Sequence, residues 1–260
     1  MTGILHYRRL IGGILLGMLF LSCASMKTLQ PEHQLESYES RNISVDSSLN
    51  RDPVMNALIE PYREDMEAQM NVVIGYAAMD LIKGKPEAPL NNFVADLMLQ
   101  KAREEHDKPV AVALTNLGGL RVEIPEGPIT RGKIYEVMPF ENELVVIELT
   151  GVQLITLAKE IGEIGGEAIA GMKIEYVGDR LSKFAVQGKI VEGDSLYGLV
   201  TTDYLSSPGR NRFSILSSGP RTFLGITLRD AILQKIEKLH ADGEKVSVEI
   251  DGRMIVREKP

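Results

Sequence analysis

The chain has 260 residues, with 29 Lys and Arg against 36 Asp and Glu and a formal net charge of −7. That balance argues against nucleic acid or an anionic membrane surface as the partner, but leaves room for a small anionic ligand that needs only local positive charge. A single cysteine, Cys23, excludes an intrachain disulfide and a cysteine-based zinc site.

The first residues read as a secretory leader. His6, Arg8 and Arg9 form a basic region, and residues 10–21 (LIGGILLGMLFL) are an unbroken run of apolar residues and glycines. The run has the length of a signal-peptide core and falls short of the ~20 residues a membrane-spanning helix needs. Phe20-Leu21-Ser22-Cys23 resembles the lipobox at which bacterial lipoprotein precursors are cleaved before cysteine. An ordinary secretory signal with an incidental cysteine is the other reading. Lipidation of Cys23 would anchor the chain in a bacterial cell envelope, on a periplasmic or outer-membrane face. Without residues 1–22 the chain carries 27 Lys and Arg against 36 Asp and Glu, a net of −9. Residues 23–50 are polar and lack periodic apolar positions, as expected of a flexible tether. Residues 51–260 remain, enough for one well-packed domain.

Asp52-Pro53 is a good helix start, and Val54, Leu58, Tyr62, Met66 and Met70 follow at helical spacing, with Pro61 inside the pattern. Residues 71–78 (NVVIGYAA) predict a strand, 92–105 a helix with Phe93, Leu97 and Leu99 among its apolar positions, and 110–115 (VAVALT) a short buried strand. A glycine-containing loop precedes a short helical turn near 131–136. Residues 143–150 (ELVVIELT) predict a strand, and 151–161 a helix with Leu154, Leu157, Ala158 and Ile161 on one face. Strands follow around 170–177, 184–191 and 196–205. Thr227-Leu-Arg-Asp230 reads as a capping box opening a helix with Leu228, Ile232, Ile236 and Leu239. Residues 246–250 and 253–256 flank Asp251-Gly252, a two-residue hairpin signal. Helices and strands are interspersed without a strict βαβ repeat, which predicts an α+β fold.

The absences narrow the chemistry. Of four histidines, His6 and His33 lie in the leader and tether, and His106 and His240 stand alone. A two-metal hydrolase centre needs several His, Asp and Asn ligands converging on ions ~3.5–4 Å apart, and no such cluster is written here. There is no P-loop, no G-x-G-x-x-G after a strand and no G-x-S-x-G elbow.

Three segments stand out. Asn116-Leu-Gly-Gly-Leu-Arg121 follows the strand VAVALT. Gly118 and Gly119 allow close backbone approach, Asn116 offers an amide and Arg121 a planar fork of donors. In Met138-Pro-Phe-Glu-Asn142 the residue before proline is held extended, so Phe140 and Asn142 should project to one side, fit to stack on a flat ring and bond its edge. Tyr204, in Thr201-Thr-Asp-Tyr204 at the end of a late strand, offers a second aromatic wall with Asp203 beside it. Each segment alone also has a plain structural reading: a Gly-rich turn, a core phenylalanine, a strand-end tyrosine.

Their order is more specific. N-x-G-G-x-R, then G-P-I-T-R-G, P-F-x-N and L-T-G-V-Q-L, preceded by Leu90-Asn-Asn-Phe-Val-Ala-Asp96, resembles the C-terminal, substrate-binding domain of the 5′-nucleotidase family over roughly residues 52–257. The resemblance implies that Phe140 and Tyr204 sandwich a base, that Asn116, Arg121 and Asn142 are polar contacts, and that Gly118 and Gly119 shape the loop. In full-length members a separate N-terminal domain holds two metal ions and hydrolyses the phosphoester. Two features depart from the family pattern. Its G-G-D-G segment after the second aromatic is replaced by Ser207-Pro-Gly-Arg-Asn-Arg-Phe213, with Arg210, Asn211 and Arg212 where the aspartate would be, and its basic residue before L-x-N has Lys85 as the nearest counterpart.

The resemblance implies no cofactor in this chain, with divalent metals confined to a partner catalytic domain. It points to the recognition half of a split 5′-nucleotidase. A nucleotide- or nucleoside-binding lipoprotein without enzymatic activity and an envelope scaffold with a decayed pocket are the alternatives.

Overall fold

The computed structural model describes residues 42–46, 49–50, 52–178, 180–209 and 212–258. The leader, Cys23 and most of the tether lie outside them, as do Arg210 and Asn211. The chain divides into two units, 1–52 and 53–260. The description below concerns the second.

This unit opens with helix α1 (Pro53–Met70), which runs through Pro61. The spacing of Leu58, Tyr62 and Met66 is that of one helix face, yet no residue of α1 is buried and all three are exposed. Strand β1 (Val73–Ala77) pairs antiparallel with β3 (Gly127–Thr130). Helix α2 (Pro89–Glu105) starts three residues before its expected N-terminus, with proline in its first turn, where a missing N–H costs nothing.

The core is a five-stranded sheet formed by β2 (Val110–Thr115), β4 (Glu143–Thr150), β5 (Ala168–Ala170), β9 (Leu196–Thr202) and β10 (Arg221–Thr227), in the order β10-β4-β9-β2-β5. β2 and β9 are parallel; the other pairs are antiparallel. The central strands read as continuous apolar runs because both faces are covered. Along β4, Leu144 and Val146 enter one hydrophobic cluster, with α2 and helix α6 (Leu228–Ala241), whereas Ile147 and Leu149 enter the other, with helix α4 (Gly151–Glu163). In β2 the parity changes: Val110 and Ala113 share the first cluster and Val112 and Leu114 the second. A bulge between Val110 and Val112 accounts for the switch.

A second sheet combines β6 (Met172–Val177), β7 (Arg180–Val186), β8 (Lys189–Ile190) and β11 (Met254–Arg257), in the order β11-β6-β7-β8. The chain passes from the first sheet to the second through Gly171, whose φ is +72° and where an added Cβ would lie 2.1 Å from the Ala111 carbonyl oxygen. Only glycine satisfies both conditions. The run expected at 170–177 is therefore two strands with a corner between them.

The expected hairpin about Asp251-Gly252 does not form. Val246 bridges β1 in parallel at Ala77, and β11 pairs in parallel with β6. The two arms of the turn are drawn to different sheet edges and cannot pair with each other. Asp251 instead accepts from the Arg253 backbone N–H and guanidinium, each at 3.0 Å. Arg253 further donates to Asp96 at 2.7 and 3.0 Å and to the Ile169 carbonyl at 3.0 Å, joining the last strand to α2 and β5.

Helix starts follow local chemistry. Thr150 and Gln153 form a reciprocal capping box for α4: Thr150 Oγ1 accepts from Gln153 N at 3.3 Å, and Gln153 Oε1 accepts from Thr150 N at 2.8 Å. At α6 the expected box is half made. Thr227 Oγ1 accepts from Asp230 N at 3.1 Å, while the shorter aspartate takes the Thr227 hydroxyl at 2.8 Å instead of reaching the backbone. Among the described residues no helix is long and apolar enough to cross a membrane.

Candidate functional site

Three loops leave one edge of the central sheet. β9 runs parallel to β2 and antiparallel to β4, with Leu144 opposite Thr202. The ends of β2 and β9 and the start of β4 therefore lie side by side, bringing together the residues that follow Thr115, follow Thr202 and precede Glu143. All seven residues singled out in the sequence, Asn116, Gly118, Gly119, Arg121, Phe140, Asn142 and Tyr204, line one cavity of about 360 Å³ at this edge.

The first loop makes a 3₁₀ turn (Leu117–Gly119), closed by Gly119 N donating to the Asn116 carbonyl at 3.1 Å. Neither glycine adopts positive φ, and a Cβ on Gly119 would make only ordinary contacts, the nearest at 3.5 Å to Met138. Arg121 is held from two sides: its N–H donates to the Val137 carbonyl at 2.8 Å and its Nη1 to the Gly118 carbonyl at 3.1 Å. Its guanidinium carbon stands 5.6 Å from the Phe140 ring centroid, within cation–π range.

The second loop follows helix α3 (Arg131–Val137), the helical turn expected there, capped by Thr130. Met138 is buried and turns the chain outward, so Phe140 is 40% exposed and stays out of the core. Between the two cavity residues Phe140 and Asn142, Glu141 pairs with Arg229 of α6, whose side chain is only 6% exposed and whose Cζ lies 4.3 Å from the Tyr135 ring centroid. Burial works against charge on Arg229. The Glu141 carboxylate outweighs it and holds the guanidinium above its ordinary range. The Asn142 carbonyl accepts from Leu228 N at 2.8 Å.

The third loop corrects the sequence reading of Tyr204 as a strand-end residue. It lies in a four-residue helix, α5 (Asp203–Ser206), and is 38% exposed. Among the described residues neither Phe140 nor Tyr204 stacks on another ring, and the side-chain amides of Asn116 and Asn142 have no hydrogen-bond partner within the protein. Two apolar walls and two uncommitted amides face one space.

Sequence reasoning missed Glu167 and the long-range partners of the residues behind the loops. Glu167 Oε2 accepts from Leu117 N at 2.6 Å. Burial pushes its carboxyl up, partly offset by that hydrogen bond and by the Lys85 and Arg212 charges. Lys85 donates to the Ile164 carbonyl and Arg212 pairs with Glu163 at 3.6 Å, so both cations sit beside Glu167 already engaged. Asp203 Oδ1 accepts from Tyr204 N at 2.8 Å and from Glu143 N at 3.1 Å. Glu167, Arg229 and Asp203 find their partners 50, 88 and 60 residues away, and no local pattern announces such pairs.

A larger cleft of about 510 Å³ lies between α2, α6 and the 244–253 segment. Its charged Asp96, Asp251 and Arg253 satisfy one another. Among the described residues no group of three or more His, Cys, Asp or Glu side chains is placed to hold a metal ion; the donor set does not suit one.

The site is an aromatic-walled pocket with amide and guanidinium edges, set on a mixed sheet. Comparison with known proteins gives the family. The profile of the family described as 5'-nucleotidase, C-terminal domain matches residues 73–218, more than half of the chain, and the chain belongs to that family. It is 28% identical over 235 residues to the trifunctional nucleotide phosphoesterase protein YfkN of Bacillus subtilis, covering 82% of this chain and 16% of that protein. It is 27% identical to protein UshA of Yersinia enterocolitica, covering 76% and 37%. The structure of a 5'-nucleotidase precursor from Thermus thermophilus superposes with a TM-score of 0.67 at 26% identity, covering 80% of this chain and 44% of that one. The chain thus spans less than half the length of each of these relatives.

Proposed function

We propose that this chain is the nucleotide-recognition half of a split 5'-nucleotidase. Phe140 and Tyr204 receive the flat faces of a base, Asn116 and Asn142 bond its edge or the sugar, and Arg121 supplies the positive charge an anionic ligand needs. The observation that carries this reading is the convergence of those residues on one cavity in a chain of this family. On this reading phosphoester hydrolysis belongs to a separately encoded metallophosphatase; among the described residues no group is placed to hold a metal ion. Divalent metals belong to that partner. Lipidation at Cys23 holds the chain at the bacterial envelope, where a partner anchored in the same membrane would meet it at raised effective concentration.

The test is reconstitution. The purified chain with AMP and divalent cations should release no phosphate, and adding the metallophosphatase from the same envelope should start the reaction. Full activity from the isolated chain refutes the split.

The gathering of two exposed rings, two uncommitted amides and a guanidinium on one cavity also fits a second reading, a binding protein with no catalytic role. That reading predicts nucleotide binding without a partner, and no gain of hydrolysis when a metallophosphatase is added.

A further inference from the structure

Asp203 and Glu143 occupy the position where the β4–β9 ladder stops. The last paired residues are Leu144 and Thr202, and the next pair would be Glu143 and Asp203. At that point the chain leaves β9 and turns into α5. The Asp203 side chain then does for the Glu143 N–H what a further strand carbonyl would have done, accepting it at 3.1 Å. The same oxygen accepts the Tyr204 N–H at 2.8 Å. The other end of the residue is also fixed: its carbonyl accepts from the hydroxyls of Ser206 at 3.2 Å and Ser207 at 2.7 Å. Glu143 is held from the opposite side, its carboxylate accepting from Gly225 N at 2.9 Å.

One atom, Asp203 Oδ1, therefore joins the segment that carries Tyr204 to the segment that carries Phe140 and Asn142. Those segments bear the two aromatic walls of the cavity. We infer that Asp203 is a positioning residue that sets the separation of Phe140 and Tyr204, and so the affinity for a planar ligand held between them. This inference rests on the reading of the cavity as a base-binding site. Both hydrogen bonds use the same oxygen and both are donated by the backbone, so the function needs an acceptor at this position and not a negative charge. Asparagine supplies that acceptor with the same reach, whereas alanine removes it and leaves two N–H groups to find water.

The experiment is calorimetry of the full chain with AMP and with adenosine, alongside thermal unfolding, for the wild type, Asp203→Asn, Asp203→Ala, Tyr204→Ala and the Asp203→Ala/Tyr204→Ala pair. Asp203→Asn should bind within about threefold of wild type, and Asp203→Ala should lose about tenfold or more, the range expected for two backbone hydrogen bonds. In the Tyr204→Ala background the Asp203→Ala change should cost little further affinity, because the wall it positions is gone; residues acting through one another are non-additive in this way. A purely structural role predicts loss of melting temperature with additive losses of affinity, and that result overturns the inference. Equal losses in Asp203→Asn and Asp203→Ala overturn it as well, since charge would then be what matters. If Phe140→Ala abolishes binding while Asp203→Ala leaves it unchanged, the base site stands and the inference alone falls. If the wild type binds neither ligand, both fall.

Discussion

Arg229, on α6, pairs with Glu141, 88 residues earlier in the loop between Phe140 and Asn142. The two partners are unequally buried. The Arg229 side chain is nearly enclosed, with its Nε buried and unpartnered, whereas the Glu141 side chain is largely in solvent. Removing the carboxylate strands a charge in the interior, but removing the guanidinium leaves a carboxylate that water solvates. Glu141→Ala should therefore destabilise the fold more than Arg229→Met, by about 1–3 kcal/mol. Urea unfolding of the two variants measures the difference. Equal or reversed costs would show that the pair is effectively a surface contact.

Phe140→Ala and Tyr204→Ala should each weaken nucleotide binding by about 1–3 kcal/mol, the range for one base–aromatic stack, or roughly 5- to 150-fold. Both side chains are well exposed, so melting temperature should hardly move. Calorimetric affinity that stays constant in both variants rejects the sandwich.

Glu167 should impose a pH dependence on the first loop. Its carboxyl titrates above the usual range because burial disfavours its charge. The folded state thus binds its proton more tightly than the unfolded chain does. Between the ordinary value of roughly 4.3 and the raised one, stability falls as pH rises. The grip on Leu117 N has the opposite dependence, being strongest when the carboxylate is ionised. Ligand affinity should accordingly decline as pH falls through the raised value. Glu167→Gln should flatten that dependence in a calorimetric pH series, and a persistent slope in the variant would assign it to another group.

Arg253→Ala should lower stability by about 2–3 kcal/mol, since it leaves Asp96 and Asp251 half-exposed and unpaired. Burial pushes the Asp251 carboxyl up, but the Arg253 guanidinium outweighs this and holds it below the ordinary range. Stability from this pair is present above the unfolded carboxylate value and is lost as pH falls through the lower folded one. The variant should therefore lose this part of its acid sensitivity, as chemical denaturation at pH 3 and pH 7 would show.

What the sequence disclosed follows the range of the interactions involved. Period and composition placed the helices about Leu154 and Ile232, the strands VAVALT and ELVVIELT, and the α+β class, all properties of neighbours in the chain. The seven cavity residues were found because three loop motifs occur in a family order, not because any one of them announces a pocket. β3 and β10 escaped notice: β3 is four residues long and pairs only with β1, and β10 carries exposed residues without clear alternation. The false hairpin at Asp251-Gly252 shows the converse. A correct local turn signal was overruled by two distant sheet edges that each took one of its arms. Asp203 was noticed beside Tyr204, but its second partner, Glu143, lies across a strand ladder that no local pattern predicts.

The sheet order fixes when the pocket can come into being. β9 sits between β2 and β4, yet it is made long after both. A nascent chain that has just completed β4 already contains Asn116, Arg121, Phe140 and Asn142, but has no strand to set their loops against one another. Closing those long-range pairings is slow and comes late in folding. The cavity can therefore exist only in a nearly finished molecule, and a chain shortened before residue 202 would keep most of the residues that line it and lack the pocket they form.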